Sequence, residues 1–294
     1  MIPRILLGIV FFLALASPAF AKLIVVATLP WIGSLAQDIG KDKVHVITLV
    51  KPTQDVHSVE PKPSMILEVR RADILMINGL ELEADFLRAL VESSRNPKVQ
   101  PGSAGYFDCS QFVEAIDRPA MVDRSMGEVY PLGNPHYHFS PKNVLRVAAG
   151  ITGILSRVDW ANGDSYQKNF ASFQERFNER QKQWSGKPLK GKIFLSYDKF
   201  FEYLAEEFGF EILGYIEPKP GIPPSAGHME KLIAMMKQTK PDALLTTAFE
   251  GEEEVNFLSQ KTGVRSIILP HDVGATVEAK DWFSFMDQVL DTLK

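Results

Sequence analysis

Short apolar, β-rich runs alternate with segments of helical period along most of the chain, and one long amphipathic stretch splits that rhythm into two blocks. Residues 23–28 form a short apolar run, residues 31–39 have helical period, and residues 44–50 alternate as a strand does. Residues 61–71 read as a helix, 73–78 as a strand and 81–91 as a helix. Strands alternating with helices predict parallel βαβ units. Between Pro97 and Pro135 the pattern fades into Pro- and Gly-rich sequence, and it returns as a helix over 141–154.

The dividing stretch covers residues 164–184, where Tyr166, Phe170, Phe173, Phe177 and Trp184 recur on one helical face. Asp164 or Ser165 can cap its start, and Gly186 and Pro188 end it. Such a helix is roughly 31 Å long at about 1.5 Å per residue. It fits a stiff connector between two lobes and equally an ordinary core helix. The rhythm then restarts with strands at 192–197, 211–216, 242–247 and 265–269, and helices at 200–208, 228–237, 252–262 and 279–293. The expected fold class is α/β, with two lobes of about equal size: 22–160 and 188–294, separated by a linker helix over 161–187.

The chain has 294 residues with 45% hydrophobic and 23% charged content, ordinary globular values that exclude a disordered, collagenous or multi-span membrane protein. Net charge is −4, and there is no basic run to mark a nucleic-acid surface. Residues 1–21 stand apart. Arg4 is their only charge, residues 5–16 are apolar, and Ala19-Phe20-Ala21 is an A-x-A site, the three parts of a secretory signal peptide. The apolar run is short of the ~20 residues that span a bilayer. Lys22, not cysteine, follows the cleavage point, so the expectation is a soluble periplasmic protein without a lipid anchor. Cys109, the one cysteine, excludes an internal disulfide and reads as a small buried residue.

The six histidines divide by position. His45 sits on the polar face of a strand and His228 at a helix start after Gly227. The rest occupy loops: His57 after the second strand, His136 and His138 just before the helix opened by Ser140-Pro141, and His271 beside Asp272 directly after the last strand. Asp198 directly follows the first strand of the second block. In open α/β sheets ligands bind beyond the carboxyl ends of strands, so these side chains predict a cleft of imidazoles and carboxylates between lobes. Such a donor set suits a first-row divalent ion, and the lack of sulfur excludes a thiolate zinc site. Two neighbouring features read more plainly. Glu250, Glu252, Glu253 and Glu254 form an acidic run explained by a helix dipole. Residues 217–225, with four prolines, form a structured connection able to wall a cleft.

These residues resemble the metal-specific solute-binding proteins of zinc and manganese ABC importers (bacterial solute-binding protein family 9). Residues 55–64 (DVHSVEPKPS) are similar to the family's D-P-H-x-x-E-P-x-P-S block. Ala72-Asp73 through Asn78-Gly79-Leu80-Glu81-Leu82-Glu83 resembles its A-D-x-x-x-x-N-G-L-x-L-E block, and residues 134–143 (NPHYHFSPKN) its [DN]-P-H-x-W-x-x-P-x-N block. Residues 217–225 match a run of one branch. The resemblance implies two Rossmann-like lobes joined by one long rigid helix, with Zn2+ or, next, Mn2+ held in the interlobe cleft. It places the metal ligands at His57, His136, Asp198 and Asp272. Aspartate at the third position departs from the usual His or Glu, Val56 replaces a proline, and His138 stands where many members have Trp. The sequence does not choose between His271 and Asp272, and His138 is a candidate compensating ligand.

The function implied is capture: a monomeric periplasmic component, with no catalytic residues, that delivers the metal to an ABC permease. The competing readings are an envelope metal-dependent hydrolase, for which no H-E-x-x-H motif exists here, and a binding protein for an organic metal chelate.

Overall fold

The computed structural model describes residues 22–119, 130–219 and 221–294; the signal-peptide reading of residues 1–21 lies outside them. The first lobe runs β1 (Leu23–Ala27), α1 (Pro30–Gly40), β2 (Val44–Thr48), α2 (Pro63–Arg71), β3 (Ile74–Ile77), α3 (Ala84–Ser94) and β4 (Tyr106–Asp108). Its sheet is parallel, in the order β2-β1-β3-β4. The strand β4 falls inside the stretch where the sequence pattern fades. Three residues are too few to show alternation, and β4 exists because β3 recruits it, pairing Leu75 with Tyr106 and Ile77 with Asp108.

Two helices follow, α4 (Pro141–Val158) and α5 (Gly163–Ser185). Neither Asp164 nor Ser165 caps α5: Asn162 holds that position without a side-chain bond, and Asp164 supplies a negative charge to the first turn. The second lobe runs β5 (Ile193–Ser196), α6 (Glu202–Phe208), β6 (Glu211–Tyr215), α7 (Ala226–Thr239), β7 (Ala243–Thr247), α8 (Glu252–Thr262), β8 (Ser266–Leu269) and α9 (Trp282–Thr292). Its sheet repeats the first one's arrangement, β6-β5-β7-β8, all parallel. Among the described residues no helix is long and apolar enough to cross a membrane.

The aromatic stripe of α5 binds the lobes together. Tyr166, Phe173, Phe177 and Trp184 are buried. The ring of Trp282, at the start of α9, stacks on Phe177 at 6.3 Å and meets Trp184 edge-on at 5.6 Å. Thus α9 leaves the second lobe and returns to the first, where the Trp282 backbone N–H donates to Ser34 Oγ of α1 at 3.1 Å and its indole N–H to the His138 carbonyl at 3.0 Å. One contiguous core includes Trp31 and Leu75 from the first lobe and Phe194, Leu245 and Leu269 from the second. Truncating any of its buried aromatics to alanine costs about 3–5 kcal/mol. Opening the lobes widely would expose that shared core, so this packing favours small relative movements.

A buried carboxylate fixes the loop after β3. Glu83 Oε1 accepts from the Thr28 hydroxyl and the Asn78 N–H, both at 2.6 Å, and Oε2 accepts from the Gly79 N–H at 3.1 Å. Gly79 has φ of 81°, and a Cβ there would run into Asp108 and Ser110. Glycine is therefore required at the turn. Cys109, beside it, is buried, and burial pushes its thiol well above the usual range; it is inert as a nucleophile.

Candidate metal centre

The crossover order of the second sheet places its switch point between β5 and β7, where chains depart to opposite sides. Asp198 follows β5 and Glu250 follows β7, so two carboxylates sit at that crevice. His57 and His136 face them from the first lobe. The segment Val56–Ser58 is a single 3-10 turn capped by Asp55, whose Oδ1 accepts the His57 N–H at 2.9 Å. His136 N–H donates likewise to Asn134 Oδ1 at 2.9 Å.

The His136 segment is held from both sides. Asn78 Nδ2 donates to the Pro135 carbonyl at 3.1 Å, and the Tyr137 hydroxyl donates back to the Asn78 carbonyl. From the second lobe, the Tyr203 hydroxyl donates to the Asn134 carbonyl at 2.8 Å, while Asn134 Nδ2 donates to the Lys199 carbonyl at 2.9 Å. The His136 ring lies over Phe200 with centroids 4.0 Å apart. His57 meets His136 edge to face at 6.1 Å, and the Tyr130 hydroxyl is 2.9 Å from His57 Nδ1.

A cavity of about 710 Å³ opens between the lobes, and His57, His136, Asp198, Asp55, Tyr130 and Glu250 line it. The segment from Glu217 to Gly221 contributes a wall, apart from Pro220, which lies outside the described residues. Burial, then the charges of Glu250, Glu202 and Glu217, push the Asp198 carboxyl well above the usual carboxylate range. Glu250 rises to about 8, through burial and then Asp55 and Glu217. Carboxyls crowded this way gain strongly from a nearby dication.

Behind this cavity lies a smaller one of about 30 Å³, bordered by His57 and His136 and also by His138, His271 and Asp272. His138 is sandwiched between Trp31 and Phe285, at 6.0 and 5.9 Å, and its Nε2 lies 2.9 Å from the His271 carbonyl. Burial depresses all three buried imidazoles: His136 falls well below its ordinary value, His138 to about 3 and His271 to about 4. They are neutral at physiological pH, the state that a metal requires. Asp272 is buried as well, and burial pushes its carboxyl up, against the hydrogen bonds it accepts from the Val273 and Trp31 N–H groups.

The expected residues therefore fall in one region. His57, His136 and Asp198 share the large cavity, while His138, His271 and Asp272 share the small one with the same two histidines. Among the described residues, no three His, Cys, Asp or Glu side chains converge within coordination reach of a single point. Metal uptake thus requires the donors to draw together. The sequence reading passed over Glu250, which belongs to the cleft and not to the α8 dipole run, since α8 begins at Glu252. The signal was available: Glu250 follows a strand just as Asp198 does. Asp55 and Tyr130 carried no comparable mark, Tyr130 least of all within the patternless stretch.

Two lobes with parallel sheets, a connecting helix and an interlobe cleft rich in imidazole and carboxylate define a metal-binding solute receptor. Residues 25–294 match the family described as "ZnuA: Zinc-uptake complex component A periplasmic", and the chain belongs to that family, one of metal-binding transport components and not of enzymes. It is 24% identical over 250 residues to the manganese ABC transporter substrate-binding lipoprotein PsaA of Streptococcus anginosus, covering 83% of this chain and 78% of that protein. It is 25% identical over 252 residues to the iron-binding protein YfeA of Yersinia pestis, covering 83% and 75%. The crystal structure of ZnuA superposes with a TM-score of 0.75 at 21% identity, covering 93% of this chain and 98% of that one. The Mn-bound periplasmic metal-binding protein from Candidatus Liberibacter asiaticus gives 0.73 at 20%, covering 93% and 100%. At such identity the superpositions carry the fold.

Proposed function

We propose that this chain captures a single divalent transition-metal ion in the periplasm and hands it to the permease of an ABC importer, with zinc the preferred cargo and manganese the next. The observation that carries this reading is the pairing of His57 with His136, ring against ring, opposite the carboxylates of Asp198 and Glu250 across the interlobe cleft. First-lobe histidines are fixed by their turns, and the second lobe offers Asp198 on the cavity side and the His271-Asp272 pair at its floor. Bridging them with one dication would favour a closed form, which the permease can distinguish from the empty one. The excess of imidazole over other donors at the floor favours zinc over manganese.

Removal of residues 1–21 would leave Lys22 at the terminus and the protein free in the periplasm as a monomer, unlike the relatives named as lipoproteins. Elemental analysis of the purified mature chain, with Zn2+ and Mn2+ titrated against a chromophoric chelator, tests the reading. One equivalent of zinc, bound more tightly than manganese, is expected; absence of any stoichiometric transition metal would overturn it.

A further inference from the structure

Three consecutive residues beside the cleft stand in a backbone region that side chains rarely occupy. Gly79, Leu80 and Glu81 have φ of 81°, 54° and 66°. Positive φ crowds a Cβ against the following carbonyl, so residues other than glycine visit it singly and at a cost. Such strain persists only where the surroundings over-determine it, and it gathers at functional sites. The turn follows the carboxyl end of β3, and Leu82 at its close borders the smaller cavity.

Glu83 holds this turn. Its side chain is buried, at 1% exposure, and it accepts the N–H groups of Asn78 and Gly79, where the chain enters the turn, together with the Thr28 hydroxyl at the end of β1. Without that carboxyl two buried backbone donors would lose their acceptor. Glu83 itself lines neither cavity.

Asn78 carries the anchorage to the metal centre. It is fully buried, and every link of its backbone and amide nitrogen is engaged. Its N–H is on Glu83, its carbonyl accepts the Tyr137 hydroxyl, and its Nδ2 donates to the Gly79 carbonyl at 3.2 Å and the Pro135 carbonyl at 3.1 Å. The residues on both sides of His136 therefore hang from one asparagine, and that asparagine hangs from Glu83. The Tyr137 ring is wedged edge-on against Trp31 at 5.6 Å and Tyr203 at 6.4 Å, which aims its hydroxyl at Asn78.

We propose that Glu83 is a positioning residue for metal capture: by holding the strained turn and the Asn78 N–H, it fixes the frame from which His136 reaches the cleft. The proposal rests on the metal-capture reading above. The second lobe also grips the His136 segment, through Tyr203 and the Lys199 carbonyl on Asn134. Loss of Glu83 thus loosens His136 without releasing it, and the effect on affinity is graded.

Zinc affinity by competitive titration, beside urea unfolding, tests this on the mature chain and four variants: Glu83→Gln, Tyr137→Phe, the two combined, and Val99→Ala, a truncation elsewhere in the first-lobe core. Titration is done where every variant used is folded. Glu83→Gln should bind zinc at least about 10-fold more weakly, the lower end of what loss of a ligand's support costs. Tyr137→Phe, which cuts one of the two ties and keeps the packed ring, should lose about threefold or more. The double variant should lie within about twofold of Glu83→Gln alone, because the hydroxyl then grips a frame that is no longer held. In the metal-free proteins the His136 ring resonances should shift in both relay variants. Val99→Ala should lose stability while its zinc affinity and His136 resonances stay with the parent. Unchanged affinity in Glu83→Gln, or in Tyr137→Phe where the former folds poorly, would overturn the proposal and leave metal capture standing. So would single losses that simply multiply in the double variant. A parent that binds no zinc would overturn capture itself.

Discussion

The rings of His57 and His136 stand edge to face with centroids 6.1 Å apart, although one belongs to a 3-10 turn after β2 and the other to the approach to α4. Their neighbourhood is made by backbone capping on one side and by the clamp of Asn78 on the other. Each imidazole is therefore placed before any ligand arrives, which lowers the ordering cost of binding.

Replacing either of these histidines with alanine should lower zinc affinity at least 100-fold, since even groups that only orient a metal ligand are worth about 10–100-fold. Competitive titration reads this directly. The melting temperature of the metal-free protein should change much less for His57→Ala, which is half-buried, than for His136→Ala, which removes the stack on Phe200.

Metal uptake should release protons. Without a cation Glu250 holds its proton up to about pH 8, and Asp198 is also raised well above the ordinary carboxylate range. A dication beside them favours the ionised forms, so both groups shed protons on binding, and affinity should climb as pH rises from about 6 to 8. Calorimetric titration in two buffers of different ionisation enthalpy measures the release. Binding at pH 7 with no proton exchange would contradict this account of the cleft.

Gly251 separates Glu250 from α8 with φ of 60°, and a Cβ there would collide with the Tyr197 ring. Gly251→Ala should cost about 1–2 kcal/mol for the left-handed backbone alone. It should also displace Tyr197, the neighbour of Asp198, so that metal affinity falls together with the melting temperature. A variant as stable as the parent would contradict the packing described.

Glu83 gives the fold a pH signature of its own. Burial, its first cause, raises it from 4.5 to about 7, against the bonds it accepts from Thr28, Asn78 and Gly79. The folded state thus binds the proton more tightly than the unfolded chain. The contribution to stability is complete below about pH 4.5 and is lost as pH rises through about 7. Glu83→Gln should flatten this slope. It should also cost about 1–3 kcal/mol, because its NH2 group would face a backbone N–H donor. Urea unfolding of both proteins at pH 5 and pH 7.5 checks both effects.

Periodicity made the two-block α/β layout readable, because each long element carries its own apolar stripe: the aromatics of α5 and the alternation of β2 needed no partner to be seen. The short β4 was not readable, since its existence depends on the edge that β3 offers. At the candidate site, position after a strand pointed to Asp198 and to the His271-Asp272 pair. The same rule applied to Glu250 was masked by the acids that follow it. What no local pattern contains is the commitment of Asp272 to the start of α1, or the meeting of Tyr130 with His57. These are contacts between segments remote in the chain, fixed only when the lobes close on their shared core.

The most direct measurement is an anomalous-scattering map at the zinc edge from crystals of the zinc-loaded mature chain. The account predicts one strong peak between the lobes, within coordination distance of His57 and His136 and of at least one side chain from the second lobe. A peak held by a single lobe, or on an outer surface away from both histidines, would contradict it.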